Sequence, residues 1–126
     1  MSALDNRPVF LNLLKIRQPV TAVLSILHRA SGIAMVLSLP GFVYLLSLSL
    51  RDQAGFDDVM ALLISFPAKL IAVVLCWVLA HHLLAGLRFL ILDFDIGVER
   101  AEARRTAWLV HAAAAMVALF SAGAIL

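Results

Sequence analysis

Long apolar runs, and not alternating ones, set the pattern of this chain. Residues 30–50, 70–87 and 106–126 contain no Asp, Glu, Lys or Arg. Each run is close to the roughly 20 apolar residues that a helix needs to cross the hydrocarbon core of a bilayer. No alternating pattern of about ten residues recurs, which disfavours strands. The fold expected is therefore an all-α membrane protein with three transmembrane helices crossing at about residues 21–50, 60–88 and 106–126. An amphipathic arm precedes them over residues 1–20, with Phe10, Leu11, Leu13, Leu14 and Ile16 set between polar positions. Pro40-Gly41 falls inside the first crossing, where the missing backbone donor predicts a kink.

Composition agrees with hydrocarbon as the relevant solvent. Of 126 residues, 63% are hydrophobic and 14% charged, with a mean hydropathy of +1.02, against about 25% charged in soluble domains. The loops left between crossings are too short for a soluble catalytic domain, so the chain acts within the bilayer or with partners. Three helices also bury polar side chains poorly on their own, and an oligomer is expected. Eight basic residues (Arg7, Lys15, Arg17, Arg29, Arg88, Arg100, Arg104 and Arg105) fall on one side of the crossings. Only Arg51 and Lys69 fall on the other, which puts the N-terminus on the cytoplasmic or matrix side and the C-terminus outside. Lys69 and Arg88 flank the second crossing, where long basic side chains snorkel to the interfaces. No basic soluble face exists, so a nucleic-acid partner is not expected. The single cysteine, Cys76, forms no disulfide within the chain and reads as a small core residue. No cleavable secretory signal is visible. Trp108 fits the aromatic belt, and the alanine-rich third crossing suits close helix packing.

Polar residues inside these runs are few and are spaced by helical turns. On the first crossing Thr21, Ser25, His28, Arg29 and Gly32 recur every three or four residues, forming one stripe near the inner interface. Arg29 offers a planar fork for carboxylates and Ser25 a hydroxyl for a carbonyl oxygen. Gly32 removes a side chain where a flat ligand could approach. On the second crossing His82, Ala85, Gly86 and Phe89 follow the same spacing, leaving small residues beside an imidazole where a bulky planar group could stand. His81 points roughly 100° away and reads as packing. His82 and Arg88 are about 9 Å apart along the helix axis, so both polar sets lie at similar depth and permit one shared site.

A titratable ring inside a membrane is costly and usually meets a polar partner, a water-filled cavity or a metal. Haem iron accepts a neutral imidazole nitrogen, and electron-transfer haems take two strong axial ligands. His28 adjoins Arg29, which favours a propionate contact over iron ligation. A second axial ligand comes most simply from another subunit, and His111 on the third crossing stays open as an internal one.

These residues carry a resemblance. Arg7-Pro8, the run Ser25-Ile26-Leu27-His28-Arg29-Ala30-Ser31-Gly32, and His82-Leu83-Leu84-Ala85-Gly86-Leu87-Arg88 followed by Asp93 resemble the cytochrome b membrane-anchor subunit of bacterial and mitochondrial succinate dehydrogenase. The resemblance covers nearly the whole chain, and it is the order and spacing of both patterns together that make it specific. It implies that His82 is the axial ligand to the iron of a haem b shared with a second membrane-anchor subunit, whose histidine supplies the opposite ligand. It implies that His28 and Arg29 contact the haem propionates, and that Ser25 and Arg29 bind ubiquinone as substrate. Phe89 stands where some relatives carry a second histidine after the arginine, which removes a propionate contact there. The partners implied are a flavoprotein subunit that oxidises succinate, an iron–sulfur subunit that passes electrons to the membrane, the second anchor and membrane lipids. The location implied is the bacterial inner membrane or the mitochondrial inner membrane, in the tricarboxylic acid cycle and respiratory chain. The anchor would take no part in succinate chemistry itself, and its arm would lie where the iron–sulfur subunit docks or serve as a plain interfacial anchor.

Three other readings stay open on residues alone. The anchor of a quinol:fumarate reductase would share this architecture. A non-haem membrane assembly or interaction subunit would use its histidines only to bond neighbouring helices. A small transporter would normally show inverted repeats or broken helices around a midplane charge, and no midplane carboxylate occurs here.

Overall fold

The computed structural model describes residues 16–126 and is all-helical over that span. The helices are α1 (Val20–Ser49), α2 (Gln53–Leu63), α3 (Phe66–Asp93) and α4 (Arg100–Ile125). α1, α3 and α4 are long and apolar enough to cross a membrane, so the chain is an integral membrane protein. Apart from Ile16, the apolar residues of the expected arm lie outside the described residues.

α2 is a separate element that apolar runs alone did not reveal. Asp52 caps it by accepting from the Gly55 amide at 2.7 Å. Gly55 packs directly on the Leu48 carbonyl, where any Cβ would overlap the backbone. Only Gly55 and Val59 of α2 are buried. The crossing expected from about residue 60 starts instead at Phe66, because Pro67 in the first turn of α3 is compatible with a helix start and not with its interior. α3 continues past residue 88 to Asp93, and α4 begins six residues earlier than residue 106, at Arg100. Asp95 and Gly97 take left-handed conformations (φ 60° and 74°) in the turn between them. α1 runs through Pro40 without a break in its helical assignment.

α3 is the central rod, packing on α4 along one side and α1 along another. The buried centre consists of Leu24 from α1, Ala85 from α3, and Ala107 and Val110 from α4, with Val20, Leu84 and Phe89 against them. Alanine at two of the four contact points lets the helix backbones approach closely, the usual source of association where lipid is as apolar as leucine. Elsewhere the apolar surface points outward: Leu37, Leu119 and Phe120 are each more than 70% exposed. Lipid or other subunits must cover these faces.

Candidate functional site

The seam between α1 and α3 gathers the polar atoms. His82 and His28 stack face to face, with ring centroids 4.2 Å apart and planes 12° from parallel. Phe89 closes the edge of His28 at 5.3 Å. The stack exists because each ring lies on a glycine of the opposite helix. A Cβ on Gly32 would stand 3.0 Å from His82 Cε1, and one on Gly86 would stand 3.3 Å from His28 Nε2. The small-residue surfaces expected to receive a flat ligand are therefore filled by imidazoles of the facing helix, and Ala85 is wholly buried in the core.

The orientation of the His82 ring is set through Nδ1. That nitrogen lies 3.1 Å from the His28 carbonyl oxygen and 3.0 Å from Ser31 Oγ. Ser31 donates its own proton to the same carbonyl at 2.8 Å. A carbonyl only accepts, so Nδ1 must carry the ring proton, and Nε2 is left with the lone pair. This is the tautomer a metal-ligating histidine needs. Ser31 is 4% exposed and was not singled out from sequence. Its position was legible, since it is one helical step from His28 and is a polar residue within an otherwise apolar stretch.

The stripe on α1 divides between two surfaces. His28 and Gly32 face α3, whereas Arg29 is exposed and donates to Ser25 Oγ at 3.2 Å. Arg29 and Gly32 also line a groove of about 440 Å³ with Ile33, Val36 and Leu37. The groove is apolar along its length and cationic at the end nearest the helix start.

One expectation is corrected on the other side of α3. Arg88 does not snorkel to the interface: it is 7% exposed and reaches sideways to α4, donating through Nε to Thr106 Oγ1 at 3.0 Å and through Nη2 to the Ala103 carbonyl at 2.9 Å. Hydrogen bonds to fixed acceptors outweigh a longer reach to water, and α4 begins early enough to present them. His111, left open as an internal ligand, packs against His81 at 5.3 Å between ring centroids and not against His82. His81 is fully buried, with Trp77 at 5.5 Å. Neither His81 nitrogen, nor Nε2 of His111, has a hydrogen-bond partner among the described residues. Among those residues no three His, Cys, Asp or Glu side chains converge on a metal position.

Residues 3–121 match the family model described as Succinate dehydrogenase/Fumarate reductase transmembrane subunit. The chain belongs to that family. A relative from Coxiella burnetii, the succinate dehydrogenase cytochrome b556 subunit, is 34% identical over 105 residues, which is 82% of this chain and 84% of that protein. A protein of the same name from Paracoccus denitrificans is 28% identical over 116 residues, covering 92% of this chain and 89% of its own length. The chain is thus an integral membrane-anchor subunit of a multi-subunit complex.

Proposed function

We propose that this chain is the cytochrome b anchor of a succinate:ubiquinone oxidoreductase, contributing an axial histidine to haem b and part of the ubiquinone-reduction site. The observation that carries the reading is His82, whose Nδ1 proton is held by the His28 carbonyl and Ser31 Oγ. The ring is thereby left with Nε2 as its metal-binding atom. The naming of both relatives as cytochrome b556 subunits supports haem as the group bound. The residues present fit that group: a neutral imidazole of fixed tautomer, an apolar groove, and a guanidinium at the groove's end for propionate oxygens. His82 would hold the haem iron through Nε2, with a histidine of a second anchor subunit as the other protein ligand. When bound, the haem supplies a one-electron carrier beside the quinone.

Arg29 and Ser25 act on the substrate. Ser25 Oγ accepts from Arg29 through a lone pair, which leaves its own proton to donate to a quinone carbonyl. Arg29 stabilises the negative charge that develops on the quinone oxygen before protons arrive, and its exposed position leaves it free to do so. His28 shares the same turn and offers the second propionate contact. The flavoprotein and iron–sulfur subunits lie on the side of the N-terminus, cytoplasmic in bacteria and matrix-facing in mitochondria, where eight of the ten basic residues fall. Both relatives carry the succinate dehydrogenase name, which favours quinone reduction over fumarate reduction as the physiological direction.

The test uses the purified complex with two acceptors. Arg29→Ala should lower succinate-driven ubiquinone reduction on the order of 100-fold, and Ser25→Ala about tenfold. Succinate oxidation by a soluble artificial acceptor should remain unchanged in both. Equal loss of the two activities would mean failed assembly and would remove these residues from the quinone site.

A further inference from the structure

Ser31 is the buried hydroxyl to which the family reading assigns no task. Three atoms form a closed set around it: the His28 carbonyl oxygen accepts from Ser31 Oγ at 2.8 Å and from His82 Nδ1 at 3.1 Å, while Ser31 Oγ and His82 Nδ1 are 3.0 Å apart. With the hydroxyl proton directed to the carbonyl, the oxygen lone pairs of Ser31 face the Nδ1 proton. Two acceptors on different residues of α1 thus share one ring proton of α3. Either alone would fix the tautomer, but only the pair also fixes rotation of the ring about its bond to the helix. The ring cannot turn without losing one of them, and stacking on His28 resists displacement along the normal.

We propose that Ser31 is a positioning residue that holds the plane of the His82 imidazole and strengthens its Nε2 as a ligand. The proposal rests on the reading of His82 as the haem ligand. A hydrogen bond from the distal ring nitrogen to an acceptor raises the basicity of the ligating one. A more basic ligand stabilises the ferric state, so loss of the Ser31 acceptor should raise the reduction potential. The same loss should weaken haem retention, since outer partners of ligating histidines typically contribute 10- to 100-fold in affinity.

A second serine on the same helix provides the control. Ser38 donates to the Met35 carbonyl at 2.7 Å, the same three-residue back-bond, and no histidine is bonded to it. A purely local role in helix geometry would therefore be shared by both serines. A role through His82 would belong to Ser31 alone.

The experiment compares Ser31→Ala, Ser31→Cys, Ser31→Thr and Ser38→Ala in the intact purified complex by redox titration and by low-temperature EPR of the oxidised haem. Ser31→Ala and Ser31→Cys, which lack a good acceptor, should shift the oxidised-to-reduced ratio at fixed poise about tenfold toward reduced, equivalent to about 59 mV upward for one electron. They should also change the g-anisotropy that reports ring orientation. Ser31→Thr, which keeps the hydroxyl, and Ser38→Ala should match the unaltered complex. Equal shifts from Ser31→Ala and Ser38→Ala, or none from Ser31→Ala and Ser31→Cys, would overturn the proposal. Failure of the underlying reading is separable: in that case His82→Ala would leave the haem spectrum intact.

Discussion

α3 presents two seams that handle polar groups in opposite ways. Toward α1, His28, His82 and Ser31 form one bonded set, and Arg29 stands exposed on an adjoining groove that shares Gly32 with it. Toward α4, the polar groups are sealed: Arg88 spends its donors on Thr106 and the Ala103 carbonyl, and His81 is buried against His111. Both seams carry histidines and an arginine, so residue type does not separate them. What separates them is exposure: the unpartnered nitrogens of the α4 seam, on His81 and His111, are buried, whereas Arg29 is exposed and His82 partly so. The α1 seam leaves Nε2 of a fixed imidazole and an exposed guanidinium, whereas the α4 seam uses its cation to tie two helices. The proposed chemistry thus lies on one face of α3, and the helix-tying Arg88 on the other.

That contrast can be broken at several points. The largest effect should come from Arg88→Ala, which removes two charge-assisted hydrogen bonds and should destabilise the assembled subunit by about 2–3 kcal/mol. Its haem spectrum and quinone kinetics in surviving complex should be unchanged. A thermal-inactivation series checks the first part, and a spectral change at full occupancy would place Arg88 with the chemistry instead. Gly32→Ala should cost less, about 1 kcal/mol, because a Cβ 3.0 Å from His82 Cε1 overpacks the seam while alanine gains helix propensity. Here the haem band should shift with a smaller loss of stability, the reverse of Arg88→Ala. The smallest effect belongs to His81→Phe. Exchanging a ring with two unpartnered nitrogens for an apolar ring of similar shape should change stability by less than about 1 kcal/mol. A loss of several kcal/mol in the same melting assay would show that those nitrogens have a partner beyond the described residues.

Much of this arrangement was legible before any coordinates. Charge-free runs gave three membrane helices, and three-and-four spacing put His28 and His82 on lines that could meet. Their stacking shows that depth along two helices, inferred from residue counts, was enough to pair them. What spacing could not give was which neighbour fills the space beside a small residue. Gly32 and Gly86 invited a ligand in one dimension, but in three they receive the rings of the opposite helix. Arg88 was misplaced for a related reason: a basic residue at the end of an apolar run reads as an interface anchor unless the early start of α4, with Ala103 and Thr106 beside it, is known. α2 escaped because an eleven-residue helix with few buried positions leaves no strong apolar run, although the Asp52 cap was a local sign of it.

The most direct measurement is the reduced-minus-oxidised optical spectrum of the purified complex carrying His82→Ala, set beside His81→Ala. Adjacent residues on one helix face different seams, so the pair isolates direction from composition. The account predicts b-type bands that weaken or shift for His82→Ala and stay nearly intact for His81→Ala. Intact bands in His82→Ala, or loss confined to His81→Ala, would contradict it.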